Sequence, residues 1–147
     1  MLHRFETFTV QIAKIRRNIQ KIKSEEMAEF GLKGPHVTCL YYLYKNPEPL
    51  TAKQLCDVCD EDKGAISRSI EFLESKGYID VSSKTEKRYK SPLALTDKGN
   101  EIAKIVAEKI DNVVNLASEG LSSIKRREFY DSLILISNNL QQICDKY

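Results

Sequence analysis

The reactive side chains of this 147-residue sequence are four cysteines and two histidines. Cys56-Asp57-Val58-Cys59 has the two-residue gap used by metal sites and by thiol switches, since a thiolate serves either purpose. No second Cys pair completes a metal set, and the histidines, His3 and His36, form no His-x-x-x-His. A metal is therefore not expected. Cys56 and Cys59 read either as small hydrophobes packed in a core or as an oxidation-sensing pair. Cys39 reads as core, and Cys144 as an accessible thiol. There is no Gly-rich phosphate loop and no nucleophile elbow, so neither an enzyme nor a cofactor is expected.

The second chemical feature is a local cluster of charge. Residues 63–90 hold seven cations against four acids, a net of +3, whereas the whole chain carries +2. Lys84, Lys87, Arg88 and Lys90 fall together within that stretch. A positive surplus confined to one segment is the footprint expected of a polyanion-binding surface. No run of apolar residues is long enough to cross a bilayer. The N-terminus lacks an apolar signal region, so a cytoplasmic protein with reduced thiols is expected.

The elements that must carry these residues are mostly helical. Phe5, Phe8, Ile12, Ile15, Ile19 and Ile22 recur at spacings of 3 and 4, a narrow apolar seam on a helix over about residues 3–29. Such a seam suits packing against long helices, of a partner chain or of the same chain. Gly31 stops that helix and Pro35 opens a short one, with Val37, Leu40, Tyr41 and Tyr44 on its apolar face. Asn46-Pro47-Glu48-Pro49 closes it. Thr51 and Gln54 form a capping box for a helix over about 52–59, with Leu55, Cys56 and Cys59 facing inward.

Asp62 caps the next helix, over about 63–76. Ile66, Ile70 and Leu73 share its buried stripe, and the opposite face carries Gly64, Ser67, Arg68, Glu71 and Ser75. Small residues beside a long donor suit close approach to base edges, although a solvated face has the same look. Gly77 ends this helix. A strand near Tyr78–Ser82 and a return strand at Leu93–Leu95 would flank a basic hairpin tip. Helix, turn, helix and basic hairpin, in that order, make a winged helix-turn-helix. Thr96 caps a long helix to about Ser118, with Ile102, Ile105, Val106, Ile110, Val113, Val114 and Ala117 on one face. A last helix, about Ser122–Asp145, carries a seam of Phe129, Leu133, Ile136, Leu140 and Ile143. The expected fold is mainly α with a small β-hairpin wing: one domain over residues 1–147, with a winged region at about 35–95 between helices at about 3–30 and 96–147.

Four runs in register, Leu50-Thr51-Ala52-Lys53-Gln54-Leu55, Asp62-Lys63-Gly64-Ala65-Ile66-Ser67-Arg68, Leu73-Glu74-Ser75-Lys76-Gly77-Tyr78-Ile79 and Leu95-Thr96-Asp97-Lys98-Gly99, resemble the signatures of the MarR (multiple antibiotic resistance regulator) family. The resemblance covers about Leu32 to Ile105. It implies a homodimeric, sequence-specific transcriptional regulator on a pseudo-palindromic double-stranded DNA operator, its long terminal helices forming the dimer. It further implies repression released by a small ligand or by oxidation. Ser67 and Arg68 would then read base edges beside Gly64. Thr51, Lys53 and Gln54 would hold phosphates, Lys63 would belong to the same DNA-binding set, and Lys87, Arg88 and Lys90 would form the wing. Arg16, His36, Tyr41 and Tyr44 become candidates for an effector site. Two features depart from the family pattern. The wing has Glu86-Lys87-Arg88 where Asp-x-Arg is usual, with one extra residue and Pro92 before Leu95. Asp60-Glu61-Asp62 also places acids where phosphates would pass, which leaves open a winged-helix protein-interaction module without DNA binding.

Overall fold

The computed structural model describes residues 3–59, 61–81 and 90–147. Two compact units divide the chain, Met1–Lys109 and Ile110–Tyr147.

The first unit opens with α1 (Arg4–Met27), whose seam from Phe5 to Ile22 is exposed along its whole length. Only Met27 is buried. A short 3-10 turn, Ala28–Phe30, follows and ends at Gly31, whose φ of +68° lets its N–H turn back to Ala28 O at 3.0 Å. The chain then enters α2 (Gly34–Lys45), with Pro35 in its first turn.

The buried face of α2 is Val37, Cys39, Leu40 and Leu43. This corrects the expected face in one respect: Leu43 is 8% exposed and Tyr44 38%. The 37-40-43 stripe runs at spacing 3 because α2 packs against both α3 (Ala52–Cys59) and α4 (Lys63–Ser75), which rotates Tyr44 outward.

A strand absent from the sequence reading precedes α3. Leu50–Thr51 is β1, and it pairs antiparallel with β3 (Pro92–Leu95), which also pairs with β2 (Ile79–Val81). The order is β1-β3-β2, with Leu50 opposite Leu93 and Ile79 opposite Leu95. Leu50, Ile79 and Leu93 are buried. Pro92 is tolerated in the central strand because it is the first residue there, where its missing N–H costs least.

α5 (Asp97–Ala117) is tied to the end of α4 through Thr96. The Thr96 hydroxyl accepts from the Gly99 N–H at 3.0 Å and donates to the Gly77 carbonyl, while its backbone N–H donates to Tyr78 O. The buried residues of α5 end at Ala107, Ile105 within that stretch and Val114 beyond it are exposed, and the expected broad face is buried only in part. Lys109 pairs with Glu26 of α1 at 3.0 Å.

The second unit holds the end of α5 and α6 (Ser123–Cys144), joined through Gly120 at φ +89°. Ser122 caps α6 by accepting from the Lys125 N–H at 3.2 Å. Among the described residues of this unit, Ser118 is buried and no apolar side chain is. Phe129, Ile136, Leu140 and Ile143 lie exposed along α6.

Candidate nucleic-acid interface

Two caps position the helix-turn-helix. At the start of α3, the Gln54 N–H donates to Thr51 Oγ1 at 3.2 Å and the Thr51 N–H donates to Gln54 Oε1 at 2.9 Å. This is the reciprocal capping box read from the sequence. It commits both side chains to the backbone, whereas Lys53 between them points out and is exposed. At the start of α4, Asp62 Oδ1 accepts from the Ala65 N–H at 2.7 Å. A carboxylate at this end also meets the positive pole of the helix.

α4 buries Ile66, Ser69, Ile70 and Leu73 and turns Lys63, Gly64, Ser67, Arg68 and Glu71 to solvent. The guanidinium of Arg68 lies back along the helix. A Cβ on Gly64 would sit 3.3 Å from Arg68 Nη1 and 3.2 Å from Asp62 Oδ1. Gly64 therefore does more than keep the surface low: it gives the Arg68 side chain room over the first turn. The far end of α4 is fixed by Gly77 at φ +73°, with the Tyr78 N–H on Leu73 O and the Gly77 N–H on Glu74 O, both at 2.9 Å. Lys98 Nζ donates to Lys76 O at 3.1 Å, placing a cation at the negative pole of α4.

Of the expected wing residues, Lys90 is exposed immediately ahead of β3. Lys87 and Arg88 lie outside the described residues, as does Asp60 of the acidic run.

The effector candidates are not gathered into one set. His36 stacks on Phe72 of α4, ring centroids 4.0 Å apart and planes 6° from parallel. Its Nδ1 accepts from the Lys33 N–H at 3.1 Å. Burial, with a lesser contribution from the Lys33 charge, holds its pKa below the ordinary 6.5. Tyr41 packs edge-on to Tyr42 at 5.6 Å and lies under Lys45 Nζ at 5.7 Å. Tyr44 is exposed, and Arg16 is exposed on α1.

Cys56 and Cys59 are both half-buried, and Cys39 on α2 is fully buried. Beside them, Lys23 Nζ of α1 donates to Thr38 Oγ1 at 2.8 Å. The sequence reading missed Lys23 and Phe72, because the contact each makes reaches across to another helix. Among the described residues, no group of three or more His, Cys, Asp or Glu side chains could hold a metal ion. No helix among them is long and apolar enough to cross a membrane.

Residues 30–88, which include both capped helices, match the MarR family model. Solved structures of that family superpose on nearly the whole chain. A MarR family regulator from Neisseria meningitidis is 16% identical, over 99% of each chain, with a TM-score of 0.83. The fold is the MarR fold. A MarR family transcriptional regulator from Listeria monocytogenes, solved with a 26mer DNA, is 22% identical over 90% of this chain and 87% of its own, TM-score 0.79. Staphylococcus aureus MarR in complex with salicylate and kanamycin is 19% identical over 93% of this chain and 92% of its own, TM-score 0.78. No curated protein sequence matches the chain. Within the MarR fold, the sheet order is β1-β3-β2, with β2 packed against α4 and β3 against α2.

Proposed function

We propose that this protein is a homodimeric transcriptional regulator that binds a pseudo-palindromic double-stranded DNA operator through α4 and the wing. The observation that carries the reading is the outer face of α4. Lys63, Ser67 and Arg68 stand exposed on a helix capped at both ends, with Gly64 and Ser67 keeping its first turns low. A helix held this way presents donors to a major groove without losing order. Ser67 and Arg68 read base edges. Lys53 and Lys63 hold phosphates, with Thr51 and Gln54 mainly fixing the start of α3. Lys87, Arg88 and Lys90 supply the wing. The Listeria relative solved with DNA supports this assignment.

The homodimer is supported by the exposed apolar seams of α1 and α6, since a two-helix unit with no buried apolar side chain gains little stability from its own contacts. Two-fold symmetry places half-sites about one helical turn apart. Regulation is by repression, released by a small ligand or an oxidant. The salicylate complex of the Staphylococcus aureus relative supports a ligand arm.

Fluorescence anisotropy with genomic fragments at two salt concentrations tests the proposal. Sequence-dependent binding that weakens steeply with salt is expected. A flat response to both sequence and salt overturns it in favour of a protein-interaction module. The exposed acids Glu61 and Asp62 would favour that module, but the Asp62 carboxylate is already engaged in capping α4.

A further inference from the structure

A helical side chain leans toward the N-terminus and covers the residue four positions back, and for Arg68 that residue is Gly64. The point that a Cβ on Gly64 would occupy lies 3.3 Å from Arg68 Nη1 and 3.2 Å from Asp62 Oδ1. The arginine and the cap carboxylate therefore flank the same small slot. Asp62 Oδ1 is itself fixed by the Ala65 N–H at 2.7 Å, so one wall of the slot is rigid. Glu71, three positions further along the exposed face of α4, offers Arg68 a second acid, yet the guanidinium lies over the first turn instead. We propose that Gly64 and Asp62 are positioning residues for sequence specificity: together they hold the Arg68 guanidinium over the first turn of α4 and so choose which base pair it reads.

The two residues act by different means. Gly64 acts by omission, since any side chain there would crowd Nη1 and push the guanidinium out of the slot. Asp62 acts by charge. Attraction across solvent is weak, but it needs only to favour one arginine rotamer over another. With Nη1 on the slot side, the Nε and Nη2 donors remain for a guanine edge. Position then decides which guanine. Four residues of helix span about 6 Å, and stacked base pairs are about 3.4 Å apart. A guanidinium leaning back over Gly64 and one leaning toward Glu71 would therefore meet different base pairs. The N-terminal part of a recognition helix is the part that reaches base edges, and the slot brings Arg68 there.

Asp62 thus has two opposed effects on DNA binding. Its charge repels phosphates and lowers affinity for every sequence, while its hold on Arg68 raises the difference between sequences. This specificity role rests on the proposed DNA binding through α4; the arrangement of Asp62, Gly64 and Arg68 in the free protein does not.

The test uses the full chain and the genomic fragment it prefers, with each base pair of one half-site substituted in turn. Arg68→Ala identifies the base pair that Arg68 reads, by lowering discrimination there about fivefold or more. Gly64→Ala keeps the Asp62 cap and puts a better helix former in place of glycine, so its urea midpoint should hold or rise. Discrimination at that base pair should nonetheless fall about threefold or more. Asp62→Asn, which caps about as well, should tighten binding to all fragments and lower discrimination at the same base pair by a similar factor. Neither substitution should alter discrimination there once Arg68 is alanine. Unchanged discrimination in both variants, or an equal loss in the Arg68→Ala background, overturns the proposal. In protein without DNA, the Arg68 Nε–Hε NMR signal, assigned by its absence from Arg68→Ala, should shift in both variants; a signal that stays in place also overturns it. Wild type without any base preference overturns the DNA-binding reading instead, and the NMR signal then decides the Arg68 arrangement alone.

Discussion

Gly99 packs against the backbone of Tyr78 so closely that a Cβ would lie 1.8 Å from the Tyr78 carbonyl oxygen and 2.7 Å from its carbon. The same carbonyl accepts the Thr96 N–H, so it is held at the point where β2 begins and α5 starts. No side-chain rotation relieves such an overlap, because both partners are backbone. Gly99→Ala should therefore destabilise the protein by about 3 kcal/mol or more, at or beyond the upper end of overpacking costs. At Gly34, a Cβ meets nothing within 4 Å and φ is not positive. Gly34→Ala should instead be neutral or gain up to about 1 kcal/mol. Urea unfolding of the two variants checks the contrast; equal midpoints would remove Gly99 from its structural role.

Asp62 both caps α4 and adds a negative charge to the face proposed to approach phosphates. Asparagine caps about as well as aspartate, so Asp62→Asn separates the two roles. It should cost at most about 1 kcal/mol of stability through the helix dipole, and it should tighten DNA binding several-fold. Asp62→Ala loses the cap and about 1 kcal/mol with it. Anisotropy titrations beside urea melts read both quantities. Asp62→Asn binding no tighter than wild type would mean that this carboxylate does not face the DNA backbone.

The sequence carried most of the local structure and little of what joins distant segments. Thr51, Gln54, Asp62 and Thr96 were readable as caps because capping links residues three apart. The Ile66-Ile70-Leu73 stripe was readable for the same reason. β1 was not, since two residues are too short to show an alternation, and Leu50–Thr51 is a strand only because β3 lies beside it. Tyr44 was misplaced because helical spacing alone allows either Tyr44 or Leu43 to follow Leu40 inward. The His36–Phe72 stack depends on how α2 meets α4, and no local pattern announces that.

His36 gives the fold a pH dependence whose sign follows from its burial. Folding lowers its pKa below the ordinary 6.5, so the unfolded chain binds protons more readily as the pH falls. The stabilisation from neutral His36 is full above about 6.5 and is lost as the pH falls through the lower, folded value. His36→Gln removes the titration, and His3 is common to both proteins. The stability advantage of wild type over His36→Gln should therefore shrink between about pH 8 and about pH 5. An advantage that stays constant across that range would show that the stacked ring is not titrating there.

Arg68 and Lys53 are both exposed on the proposed DNA-binding face, yet they should fail differently when truncated. Arg68 sits on the outer stripe of α4 with a guanidinium able to form two parallel bonds to a guanine edge. Arg68→Ala should cost about 1–3 kcal/mol on the preferred fragment and much less on unrelated DNA, so that discrimination narrows. Lys53, beside the α3 cap, offers a point charge to a phosphate. Its replacement by alanine should weaken binding to all fragments about equally and reduce the salt slope by about 1. Anisotropy on preferred and scrambled fragments, each over a salt series, distinguishes the two. If Arg68→Ala behaves as Lys53→Ala is expected to, α4 holds the backbone only, and the wing or DNA shape carries the sequence preference.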